Sequence, residues 1–258
     1  MSEFEGERIA KVIARAGLCS RRDAERLVGE GRVKLNGKVL TTAATNVTAK
    51  DVVLVDNLPL PQKEETRLWR YHKPAGLVVS NRDPEGRPTV FQKLREQLPR
   101  VLSIGRLDIN TEGLLLLTND GELARFLELP ATGWIRRYRV RAFGHVEEAA
   151  LAKLEKGVEI DGVRYGPVEA KIERVQGDNS WLTIAIREGK NREVKRICEH
   201  LGLQVNRLIR TGFGPFQLAE LPRGGIEEVP TRAMKSSIGE KFFKKEDDAH
   251  RRRKAQRP

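Results

Sequence analysis

Apolar and polar positions divide the chain into short, readable elements. Ile9, Val12, Ile13 and Ala16 recur at helical spacing, and Gly17 closes that run. Ser20-Arg21-Arg22-Asp23 reads as a capping box that opens a second helix. Ala24, Leu27 and Val28 form its buried face, and Gly31 ends it. From Val33 to Val39 apolar and polar residues alternate, interrupted by Asn36-Gly37, which predicts a hairpin. A further strand is expected from Asp51 to Val55. Residues 5–58 therefore read as a small domain of two helices and a hairpin, long enough to fold alone. Two prolines and a charged cluster then mark 59–66 as a linker.

Residues 67–234 alternate strands, turns and helices, and no internal repeat interrupts them. Leu114-Leu115-Leu116-Leu117 is a continuous apolar run, as expected of a strand buried on both faces. Asn119-Asp120-Gly121 is a turn into a helix from Glu122 to Leu127, which makes Asp120 a turn or cap residue. Ahead of the apolar run, Ile104 to Gly113 reads as a polar loop with glycines at both ends. Loops held on a rigid scaffold gather catalytic residues, but aspartates are common in turns generally. The residues alone leave Asp108 open to either reading.

Composition narrows the class. Among 258 residues 39% are hydrophobic, enough for a packed core. No apolar run approaches the roughly 20 residues of a membrane span, and the acidic N-terminus does not read as a secretory signal. A soluble cytoplasmic protein is expected. The formal net charge of +12 points to a polyanion, with nucleic acid ahead of a membrane surface. Cys19, Cys198 and four scattered histidines suggest neither disulfides nor a metal site. Arg8, Lys11, Arg15, Arg21, Arg22, Arg26 and Arg32 fall on the solvent side of the first two helices and the turn after them. A solvated face would explain them. Arg21 and Arg22, however, start a helix, where the dipole disfavours cations and free N–H groups suit phosphate. Residues 235–258 carry nine Lys or Arg against four Asp or Glu and read as a disordered basic tail.

Four segments carry a resemblance in order along the chain. Lys73-Pro74-Ala75-Gly76, Gly105-Arg106-Leu107-Asp108, Arg136-Arg137-Tyr138-Arg139-Val140 and Glu188-Gly189-Lys190-Asn191-Arg192-Glu193-Val194-Lys195-Arg196 are similar to motifs of the RsuA-type pseudouridine synthases. The N-terminal segment resembles the alpha-L RNA-binding module first known from a small-subunit ribosomal protein. Residues 81–91, 202–210 and 221–225 look like the branch containing the large-ribosomal-subunit synthase B. The resemblance implies an α+β fold: the alpha-L domain, then a catalytic domain at 67–234 with a mixed, mainly antiparallel sheet and flanking helices.

It also implies a function. A monomer would isomerise a uridine of large-subunit rRNA, free or in an assembly intermediate, with no cofactor or metal. Asp108 would be the acting carboxylate, and Lys195 the cation that keeps it ionised. Lysine there gives up the planar fork of an arginine. Tyr138 would stack on the uracil. Arg106 would fill the space the base vacates on leaving its helix. Arg192, Arg21 and Arg22 would bind RNA, Arg192 through phosphate unless it only faces solvent. The competing reading is a non-catalytic RNA-binding assembly factor on the same fold. It accounts for the basic face but does not require Asp108, Tyr138 and Lys195 together.

Overall fold

The structure is a computed structural model, and it describes residues 6–62, 64–239, 242 and 243. Two compact units divide it, Met1–Thr66 with Arg232–Pro258, and Arg67–Thr231.

In the first unit, β1 (Glu7–Arg8) leads directly into α1 (Ile9–Arg15). Ile9, Ala10 and Ile13 are its buried residues. Gly17 follows at φ +84°, a conformation that stops a helix at little cost to glycine. In α2 (Arg21–Gly29), Ala24, Leu27 and Val28 are buried. Ser20 caps this helix: its hydroxyl accepts from the Asp23 N–H and donates to the Asp23 carboxylate. The hairpin forms as β2 (Val33–Leu35) and β3 (Lys38–Val39). Asn36 and Gly37, at φ 50° and 83°, make its turn, and positive φ at both central residues matches strand twist. β4 (Asn46–Val47) pairs with β1, and β5 (Val53–Val55) pairs with β2. β6 (Leu58–Pro59) then pairs with β5, so the expected linker begins later than position 59. At the sheet edge a proline forfeits no ladder hydrogen bond.

The second unit is built on a sheet of nine strands. In chain order these are β7 (Leu68–Lys73), β8 (Leu102–Ile104), β9 (Thr111–Thr118) and β10 (Arg136–Phe143). After a small two-stranded ribbon, β11 (Val158–Ile160) and β12 (Val163–Tyr165), come β13 (Val168–Gln176) and β14 (Asn179–Ile186). β15 (Gln204–Phe213), β16 (Phe216–Gln217) and β17 (Ile226–Glu228) complete the set. The main path runs β13-β14-β10-β15-β9-β7-β17, with β8 beside β9 and β16 beside β15. Every pairing is antiparallel except β9 with β15.

That parallel contact corrects one expectation. β9 begins at Thr111, so Gly113 lies inside a strand and not in the loop ahead of it. Gly113 has φ +103°, and a Cβ there would stand 2.3 Å from the Arg210 carbonyl oxygen. Only glycine allows the two backbones this approach. All eight residues of β9 are buried, which explains its unbroken apolar run.

Short helices flank the sheet: α3 (Val90–Leu94), α4 (Gly121–Glu128), α5 (Glu148–Lys153) and α6 (Glu193–His200). Asp120 is the cap of α4, accepting from the N–H groups of Glu122 and Leu123. A last helix, α7 (Thr231–Ile238), takes up the first residues of the expected tail. Residues 244–258 lie outside the described residues. No helix among the described residues is long and apolar enough to cross a membrane.

Candidate active site

The segment that carries Asp108 is pinned from several sides. The Asp108 carbonyl accepts from the Thr111 N–H at 3.0 Å, which closes a tight turn before β9. The Ile109 carbonyl accepts from the Gly76 N–H at 2.7 Å. Lys73, fully buried at the end of β7, donates to the carbonyls of Pro74, Ile109 and Thr111. On the other flank the Gly105 N–H donates to the Glu128 carboxylate at 2.7 Å. The Lys-Pro-x-Gly segment is thus a clamp on the Asp108 loop. Burial pushes the Lys73 ammonium down to about 8, against the pull of the Asp108 and Glu112 charges.

Helix α6 brings the partner. Lys195 Nζ lies 3.2 Å from Asp108 Oδ2. Arg192, at the helix N-cap, takes the left-handed region at φ 52°. Glu193 begins the helix and is buried, with its Oε2 accepting from the Lys190 N–H. Burial, together with the neighbouring Glu188 charge, pushes its carboxyl up to about 7. Glu188 is itself held low by Lys190, whose Nζ is 2.8 Å away, and by the Gly166 N–H, although burial opposes this.

These elements enclose a cleft of about 840 Å³ in the second unit. Asp108, Lys195, Tyr138, Arg106 and Arg192 all line it. Tyr138 reaches it from β10, on the inward phase with buried Val140 and Ala142. Arg106 is exposed and makes no hydrogen bond or ion pair among the described residues, so its guanidinium is available to a ligand. Arg192 is exposed, 3.6 Å from the Glu199 carboxylate.

Arg21 and Arg22 belong to the other unit, on the first turn of α2. Both are exposed and form no ion pair among the described residues. Their basic neighbours differ. Lys11 and Arg15 pair with Glu7, Arg26 with Glu30, and Arg32 with Asp56. Arg21 and Arg22 thus stand unpaired at a helix N-terminus, where anions bind.

Three polar residues of the cleft stand in the motifs read from the sequence but were given no role there. Arg136 and Arg210 line it, and Arg210 is only 2% exposed. Glu193 is equally enclosed. Their signal is phase: Arg210 alternates with buried Leu208 and Gly212, where strand periodicity expects an apolar side chain. A second ion-pair group, Glu112 with Arg207 and Arg223, borders a neighbouring hollow that also reaches Lys195. Arg207 holds the Glu112 carboxyl below its usual range.

Comparisons with known proteins identify the family of each unit. Residues 67–200 match the RNA pseudouridylate synthase family, and residues 7–53 match the S4 domain. An uncharacterized RNA pseudouridine synthase of Rickettsia bellii is 49% identical over 229 residues, spanning 89% of this chain and 99% of the relative. The ribosomal large subunit pseudouridine synthase B of Pasteurella multocida is 46% identical over 232 residues, 87% of this chain and 67% of the relative. A crystal structure of a pseudouridylate synthase superposes with a TM-score of 0.65 at 28% identity, covering 90% of this chain and 100% of that one.

Proposed function

Because this chain belongs to the RNA pseudouridylate synthase family, with an S4 domain ahead of the catalytic unit, we propose that it converts a specific uridine of large-subunit ribosomal RNA to pseudouridine, with Asp108 as the acting carboxylate. The large-subunit assignment is supported by relatives named synthase B at 40–46% identity.

The reaction is an isomerisation. The bond from uracil N1 to ribose C1′ breaks, the base turns, and C5 bonds to C1′. The proton on C5 is lost and N1 gains one, so substrate and product have the same atoms. Attack on the sugar, attack on the ring and removal of a sugar proton all start from a carboxylate anion. What supports Asp108 in that role is that it is part-exposed in the cleft with a cation 3.2 Å away to stabilise its charge. Tyr138 offers an aromatic wall for the uracil. Arg106, without a partner among the described residues, is suited to fill the gap left in the RNA when the base swings out. Arg192 at the rim and Arg21 and Arg22 on the S4 unit supply phosphate contacts.

The observation that carries this reading is the Asp108–Lys195 pair in one cleft with Tyr138. A purely RNA-binding factor has no use for a carboxylate among those cations. Pseudouridine mapping of total rRNA from cells with and without this chain tests it, and one large-subunit uridine should lose its modification. In vitro, Asp108→Asn should abolish product and leave RNA affinity within about twofold, since it removes repulsion of phosphate and no contact. Substantial turnover by that variant would sink the assignment.

A further inference from the structure

Two guanidinium groups in the cleft have no anionic partner among the described residues. Arg210 donates through Nε to the Leu114 carbonyl at 2.7 Å, and its Nη2 is buried with no hydrogen-bond partner. Arg136 donates through Nη1 to the carbonyls of Trp134 and Arg187. Both stand against one ring: the Phe213 centroid is 4.8 Å from the Arg136 guanidinium carbon and 5.3 Å from that of Arg210. The register explains the convergence, since Arg136 lies opposite Phe213 and Tyr138 opposite Arg210 across β10 and β15.

Nearby carboxyl groups, Glu193 and Glu128, attract Arg136 only from beyond ion-pair distance. Glu128 accepts from the Gly105 N–H, and Glu193 from the Lys190 N–H. Glu193 is moreover part-protonated near neutrality, because burial pushes its carboxyl up to about 7. Burial, and to a lesser degree the Arg210 charge, pulls Arg136 below the usual arginine range, although the Glu193 and Glu128 charges oppose this. Enclosed cations without a directly paired carboxylate are costly, and natural proteins keep such groups paired. Here the missing charge is one that a ligand can bring.

We propose that Arg136 and Arg210 form a phosphate subsite in the floor of the cleft, which takes a backbone phosphate flanking the uridine presented to Asp108. The subsite rests on the reading of this cleft as the place where RNA reacts. It adds a specific anchor: one phosphodiester is seated between two guanidinium groups beside Tyr138, which fixes how far the sugar can enter. Arginine suits the task because its planar donors match phosphate oxygens in pairs.

The probe is uridine 3′,5′-bisphosphate, which carries the base and both flanking phosphates, measured against uridine by titration calorimetry of the full chain. Wild type should bind the bisphosphate roughly tenfold or more tightly than uridine. Arg210→Met and Arg136→Gln should each bring that ratio close to one while uridine affinity holds. Arg210→Lys should keep part of the preference. Arg210→Met loses the bond to the Leu114 carbonyl but relieves the desolvation of a buried charge, so it should melt close to wild type. Should Arg210→Met fail to fold, Arg136→Gln, at a half-buried position, decides between the outcomes. A wild-type ratio near one, or a ratio unchanged in the variants, overturns the subsite. rRNA mapping judges the activity separately, so either reading can fail alone.

Discussion

Lys195 Nζ stands 3.2 Å from Asp108 Oδ2, and the lysine is the more enclosed partner, 12% exposed against 35% for the aspartate. The cation is fixed behind the carboxylate, and the carboxylate faces the cleft. That order suits a group that must meet a substrate while its charge is stabilised from within. Lys195→Met should therefore lower the single-turnover rate by roughly 100-fold, with a smaller change in RNA affinity. Lys195→Arg keeps the charge and should retain most of the rate. Equal losses in the two variants would show that packing matters at this position and charge does not.

Arg21 and Arg22 are the unpaired cations at the start of α2, whereas Arg26 and Arg32 are already tied to carboxylates. A cation that neutralises one phosphate contributes about 0.7 to 0.9 to the slope of log affinity against log salt. Arg21→Ala with Arg22→Ala should thus flatten that slope by about 1.5 in a fluorescence-anisotropy salt titration. Arg26→Ala with Arg32→Ala should flatten it by less than half as much. If both pairs change the slope equally, the ion pairs do not select which cations meet RNA.

What could be read from the sequence was local. Asn36-Gly37 named its own turn, Ser20 and Asp120 named helix starts, and the leucine run named a buried strand. Each is decided within a few residues by backbone geometry or capping. The loop ahead of β9 was misjudged at its end because Gly113 answers to Arg210, a strand partner far along the chain. Arg136 was noticed only as part of a motif, and Arg210 was given no role for the same reason. A basic residue in a strand is ordinarily turned to solvent, and the phase that Arg210 shares with Leu208 tells only once the assembled sheet shows which face is inward. Lys73 was noticed as part of a motif, but its task, three carbonyls of the Asp108 segment, belongs to the tertiary fold.

Gly113 offers a test of that long-range constraint. An alanine Cβ there would lie 2.3 Å from the Arg210 carbonyl, at a φ of +103°. Strain and overpacking together should cost about 3 kcal/mol or more. Gly37 also has positive φ, +83°, but nothing lies within 4 Å of its Cβ position. Gly37→Ala should cost only about 1 kcal/mol. Urea melts of the two variants should separate them clearly. Similar midpoints would mean that β9 and β15 can part without penalty.

Glu193 gives the stability of the catalytic unit a particular pH dependence. Its folded carboxyl titrates at about 7 against an ordinary 4.5. Between those values the folded chain holds a proton that the unfolded chain has released, so this group's contribution to stability falls as pH rises from about 4.5 to about 7. Glutamine resembles the protonated acid and does not titrate. Its side-chain carbonyl can still accept the Lys190 N–H, so α6 should start at the same residue and Lys195 should keep its place. Glu193→Gln should match wild type near pH 4.5 and become more stable above pH 7, by no more than about 3 kcal/mol. Denaturant melts across that range read the difference directly. A difference that stays flat with pH would mean that Glu193 ionises normally in the fold. It would also remove one reason for Arg136 and Arg210 to lack a counter-charge within the protein.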